Sequence, residues 1–169
     1  MSTAGVSLAS GELRARCPRS LLDLGSDPSP TADVDGLIPV VLSWSGSRIQ
    51  SVKATSEATG LVLPRLVEPH AHLDKAFSWN EYPNPAGTYS GALAANFREH
   101  ETRSAERVQQ RAERALQLAW DHGLRAVRSH IDSLGPGANC SWEVLSALRA
   151  RWRERIELQL VALVPVEHW

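Results

Sequence analysis

The sequence predicts a mixed α/β chain in which a short β-hairpin precedes a parallel sheet covered by helices. Three observations carry this expectation. From residue 60 onward, short β-rich runs alternate with two segments of helical period, the order that a parallel β/α unit requires. The run Leu61–Val67 is largely apolar, as in a strand covered on both faces. Ahead of it, two β-rich runs flank Ser-Gly-Ser at residues 37–54, which reads as a hairpin.

Residues 1–36 are rich in Ser, Gly, Pro and Asp and predict a loosely ordered segment, with one edge strand over "ELRARCPRSLL". "LIPVVLSW" and "RIQSVKA" form the hairpin. Pro64 and Pro69 cannot donate to a ladder, which confines the next regular strand to about Arg65–Glu68. From Ala76 to about Arg103 there is no clear period, and "SWNEYPNPAGTYSG" combines turn residues with aromatics. Long loops of this kind are more often functional than idle; a short helix around Ala92–His100 interrupts this one. Ser104 opens a helix with Glu106 in its first turn and Val108, Ala112, Ala115, Leu116, Ala119 and Trp120 on one face. Gly123 ends it. "LRAVRSHID" is the second strand, Ser141 to about Arg153 a second helix with Val144, Leu145, Leu148 and Trp152 inward, and Ile156–Val164 a third strand. Right-handed crossovers place both helices on one side of the strands.

Length and composition narrow the function. The 169 residues suffice for one ordinary domain, and 43% are hydrophobic. A net charge of -1 lacks the basic excess expected of a nucleic-acid or membrane surface. Arginine alternates with glutamate in "RSAERVQQRAER", the pattern of a solvated helix face. Cys17 and Cys140 are far apart, so neither a disulfide framework nor a cysteine zinc site is expected. No secretory signal pattern and no apolar run of membrane-spanning length is present, and the cytoplasm is the expected compartment.

The chemistry concentrates in "LVLPRLVEPHAHLDKAF", residues 61–77. Residues two apart in a strand share a face, so Glu68, His70 and His72 point one way if the extended backbone holds through Pro69. Paired imidazoles at a strand's end are a natural half of a metal site, and zinc and iron both accept them. HxH alone is weak, since two surface histidines would give the same pattern. The apolar strand before it and the "LDK" and long loop after it favour ligation. Zinc-deaminase H-x-E and P-C-x-x-C signatures are missing, as is a G-x-G-x-x-G dinucleotide fingerprint.

The same stretch resembles the first-strand signature of the amidohydrolase superfamily, and "VEPHAHLDK" resembles its cytosine deaminase branch. "AGTYSGALAANFREHE", "RAERALQLAWDHGLRAVRSHID" and "IELQLVALVP" extend the likeness over roughly Val40–Pro165. The resemblance implies the N-terminal part of a (β/α)₈ barrel. Residues 37–59 would belong to a small β-sandwich, and residues 60–169 to the first three β/α units, leaving the barrel incomplete. It implies a divalent metal, zinc or iron, held by His70 and His72, with water activated by that metal attacking a C–N bond of a small cyclic substrate. His130 and Asp132 on the second strand line the pocket or support the ligands; a hydrogen-bonded core histidine and a strand-ending aspartate are equally compatible with the residues. Asp74 and Lys75 shape the first loop or form an exposed ion pair.

Two departures accompany the resemblance. A complete barrel takes about 250 residues, and the family's later metal ligands, acid/base carboxylate and second catalytic histidine have no counterpart here. No catalytic residue is therefore assigned within the chain, and no turnover is expected of it alone. The pyrimidine-reading glutamine of cytosine deaminases is also missing from "VPVEHW", which makes another cyclic amidine or amide as good a substrate. The open sheet calls for a covering surface, from a second copy in a homo-oligomer or from a further C-terminal part. The alternative is a non-catalytic remnant or partner-dependent module.

Overall fold

The structure, a computed structural model, describes residues 9–23 and 31–168; part of the expected loose segment 1–36 lies outside the described residues. The chain divides into two units, Met1–Pro64 and Arg65–Trp169.

The first unit is an antiparallel sheet of β1 (Gly11–Pro18), β2 (Leu37–Ser45) and β3 (Arg48–Ala54), in that order. The turn between β2 and β3 places φ +60° on Gly46, the first position of a two-residue hairpin loop, where a side chain would be strained. Ile38 and Val40 alternate inward along β2 and are fully buried with Cys17 beside them. After β3 the chain returns alongside β1, where Arg16 N–H donates to Gly60 O and Val62 N–H to Arg16 O, each at 3.0 Å.

The second unit is a parallel sheet in the order β4 (Leu66–Ala71), β5 (Leu124–Asp132), β6 (Glu157–Leu163). Helix α1 (Tyr89–Glu101) and helix α2 (Ala105–Asp121) lie between β4 and β5, and α3 (Ala138–Trp152) between β5 and β6. Thr88 caps α1 by accepting from Gly91 N–H, and Ser104 caps α2 by accepting from Arg107 N–H. Gly123, at φ +80°, turns the chain from α2 into β5. Helix α3 begins one turn before the expected Ser141. That serine is fully buried and accepts from Arg103, which makes it an interior residue rather than a cap.

Both α2 and α3 pack on one face of the sheet. Val108, Ala112 and Leu116 of α2 meet Leu145, Leu148 and Trp152 of α3 over Val127, Ile131 and Leu158. Strand alternation then sends Ala126, Arg128, His130 and Asp132 of β5 to the opposite face. That face carries exposed Val67, Val161 and Leu163, whereas Ile131 faces the helices. Among the described residues, no helix is long and apolar enough to cross a membrane.

β4 runs further than its prolines suggest, and it does so by bulging. Glu68 stands opposite Val127 and Ala71 opposite Ser129, so three steps on β4 match two on β5. The break falls on Pro69, which has no N–H for the ladder. Glu68 consequently leaves the row of His70 and His72. It registers with the helix-facing row, and its Oε1 accepts the His70 N–H at 2.9 Å.

Replacing the fully buried Ile131 by alanine is expected to cost about 2–5 kcal/mol of stability. Val161→Thr on the open face should stay within about 0.5 kcal/mol; urea unfolding of both variants checks the assignment of the two faces.

Candidate functional site

The bulge and the short turn Leu73–Lys75 after β4 determine what gathers at the C-terminal end of the sheet. Leu73 is buried in the core, and its N–H donates to the fully buried Ser129 hydroxyl at 3.1 Å. With the turn anchored there, His70 and His72 stand on the open face beside His130. Ring centroids are 4.2 Å apart for His70–His130, 5.3 Å for His70–His72 and 6.0 Å for His72–His130. The Nδ1 atoms of His72 and His130 are buried and have no hydrogen-bond partner among the described residues. Burial, followed by the nearby Lys75 charge, lowers the His72 pKa and favours neutral imidazole, the form that ligates metals. These features fit part of a donor set for a divalent metal. Among the described residues, no group of three or more His, Cys, Asp or Glu converges into a complete one.

Behind the histidines lies a buried ion-pair network. Arg103, at the junction of α1 and α2, has a fully buried guanidinium. Its Nη1 donates to Asp74 Oδ2 at 2.8 Å and to Ser141 Oγ at 3.2 Å. Nε donates to Glu99 Oε2 at 2.9 Å, Nη2 donates to the same oxygen, and Nη2 reaches Asp132 Oδ2 at 3.4 Å. Arg111 holds the other Glu99 oxygen at 2.6 Å. Lys75 Nζ bonds Asp132 Oδ2 at 2.8 Å and Asn96 Oδ1 at 2.9 Å.

This arrangement corrects two expectations. Asp74 and Lys75 are not an exposed pair: Asp74 is fully buried against Arg103, and Lys75 pairs with Asp132. Nor is "RSAERVQQRAER" wholly a solvated face, since Arg103 and Arg111 are both buried. Their partners come from distant segments, which an alternating charge pattern does not reveal; the local clue was Glu99 four residues before Arg103.

The carboxyls respond in opposite directions. Burial raises Asp74 despite the pull of Arg103. Burial also pushes Asp132 up, but the hydrogen bond and charge of Lys75, aided by Arg103, outweigh it and hold Asp132 below the usual range.

A cleft of about 1070 Å³ opens beside these groups. His72, Lys75, Asn96 and Asp132 are among its polar lining residues. Trp79, Tyr89 and Phe97, which are 60%, 84% and 60% exposed, contribute an aromatic side. The aromatics come from the long loop and α1, so the sequence signal was the density of aromatic residues in a segment without period. The loop starts at Phe77 with φ +60°, an outlier for a bulky residue, and Arg114 stacks on its ring at 4.3 Å. His130 lies with the other two histidines, Asp132 lines the cleft, and Asp74 sits inside the network.

Arg103→Met is expected to destabilise the chain by about 3–5 kcal/mol, because it strands buried carboxylates; urea unfolding measures this. The depressed Asp132 group adds stability that is present above its unfolded pKa, about 4. That stability is lost as pH falls through the lower folded value. Asp132→Asn should therefore flatten the acid-side fall in the urea midpoint.

No protein-family model matches the chain. A pterin deaminase of Rhizobium rhizogenes is 39% identical over 134 residues, which cover 79% of this chain and 30% of that protein. A 5-methylcytosine deaminase of Klebsiella pneumoniae, solved with 5-fluorocytosine, superposes with a TM-score of 0.69 at 22% identity, over 90% of this chain and 36% of that one. An N-isopropylammelide isopropylaminohydrolase of Burkholderia multivorans gives 0.52 at 21% identity, over 92% and 38%. The chain thus spans about a third of the length of the proteins it matches. The sequence relationship and the shared mixed α/β fold make the chain similar to the N-terminal part of the cytosine deaminase-like hydrolases of the amidohydrolase superfamily.

Proposed function

We propose that the chain supplies the first metal-binding strand and one wall of the substrate cleft of a deaminase-like hydrolase. The reaction is hydrolysis of an exocyclic C–N bond on a planar, nitrogen-rich ring. The observation that carries this reading is the placement of His70, His72 and His130 beside an aromatic cleft at the C-terminal end of parallel strands. Open α/β sheets and barrels bind their ligands at that end.

In this reading His70 and His72 hold a divalent metal, zinc or iron, whose charge makes water acidic enough to act as a nucleophile near neutral pH. His72 reaches that role as neutral imidazole, since burial and Lys75 disfavour its protonation. His130 stands against His70 and restricts the position of its ring. Asp132 and Asn96 hold the Lys75 ammonium at the cleft wall. The aromatic side chains exclude water from one side of the cleft and offer flat surfaces to a flat ring. The remaining metal donors and the acid/base carboxylate are not among the described residues. The pterin deaminase relationship favours a bicyclic aminated ring over cytosine itself.

The alternative of a non-catalytic, partner-dependent module draws on the exposed Val67, Val161 and Leu163 of the open sheet face. Metal content separates the two readings. Protein loaded with zinc or iron, then desalted and analysed by elemental mass spectrometry, should retain metal, and His70→Ala/His72→Ala should lose it. Equal metal in the double variant would remove the ligand assignment. From a protein in which this chain is part of a complete barrel, ammonia release is expected from pterin in preference to cytosine.

A further inference from the structure

We infer that Lys75 orients the ring in the cleft by donating a hydrogen bond to an acceptor atom on the edge of a planar heterocycle, a ring oxygen substituent above all. The inference rests on the deaminase reading and adds a specificity-determining residue to it.

An ammonium has three N–H donors. Two of those on Lys75 are fixed, one by Asp132 Oδ2 at 2.8 Å and one by Asn96 Oδ1 at 2.9 Å. The two partners sit on different elements, the end of β5 and the middle of α1, so the flexible lysine stem is held at its tip. Among the described residues, no hydrogen bond uses the third donor. The side chain is 20% exposed and lines the cleft beside His72.

A purely structural role accounts poorly for this placement. Asp132 already accepts from Arg103 on the same oxygen, at 3.4 Å, so its charge has a second cation nearby without Lys75. What Lys75 adds is a positively charged donor on the wall of a cleft that Trp79, Tyr89 and Phe97 also line. Such clefts gain affinity from flat apolar contact and gain orientation from a small number of placed polar groups. A donor that expects a partner also discriminates: a ring lacking the acceptor leaves the charged donor desolvated and unpaired.

The test uses the protein and two probes, pterin (2-amino-4-oxopteridine) and 2-aminopteridine, which lacks the ring oxygen. Binding is followed by fluorescence anisotropy of the pteridine. The wild type should bind pterin more tightly. Lys75→Met should weaken pterin binding by about tenfold while changing 2-aminopteridine by less than about twofold. Lys75→Arg, which keeps charge and donors, should recover part of the difference, and circular dichroism and the urea midpoint establish that each variant is folded. Equal weakening of both probes would reduce Lys75 to a structural role and overturn the inference, as would unchanged affinity for both. Absence of any pteridine binding by the wild type would instead overturn the ligand class in the deaminase reading, and the inference with it.

Discussion

A single buried guanidinium organises the C-terminal end of the parallel sheet in the second unit. Arg103 touches Asp74 from the turn after β4, Asp132 from the end of β5, Glu99 from α1 and Ser141 from α3. Removing a charge from water costs several kcal/mol per ion even after relaxation, so such a group is stable only where nearly every donor finds an acceptor. Arginine suits this position because its donors form a rigid planar fork, whereas lysine would offer a single flexible point charge. The outcome is geometric as much as energetic. Four segments that are distant in sequence can meet at Arg103 in very few ways, and those ways fix the turn that follows His72.

The apolar core sets the outer limits of that arrangement. The α2–α3 layer buries Val127 and Ile131, and period-two alternation then places His130 and Asp132 on the other face. The turn Leu73–Lys75 joins the two regimes: Leu73 belongs to the core, Asp74 to the ion-pair network and Lys75 to the cleft. Three consecutive residues thus serve packing, electrostatics and the lining of the cleft. A substitution at any of them propagates to the others through one turn of backbone.

Much of this was legible in the sequence, for identifiable reasons. The 3.6-residue spacing of Val108, Ala112 and Leu116 and the β-rich run Leu124–Asp132 are local signals, and local signals locate elements. The histidine pair was visible because its context is contiguous. The Arg103 network was not, because its acceptors are spread along the chain from Asp74 to Ser141, and only the fold brings them together. Pro69 announced a disturbance in the ladder but not its form. A proline at that position is equally consistent with a strand that stops and with one that bulges, and the neighbouring β5 decides between them.

The bulge also constrains how this stretch can change over time. A strand has only two phases, and the extra residue at Pro69 switches β4 from one to the other between Glu68 and Ala71. Side chains there can be exchanged one for another while the phase is kept. Straightening the bulge with the residue count unchanged would put His70 and His72 in phase with Glu68 and rotate them toward the helix layer. The segment is therefore tolerant in letter and strict in phase, like a reading frame written in backbone rather than in codons.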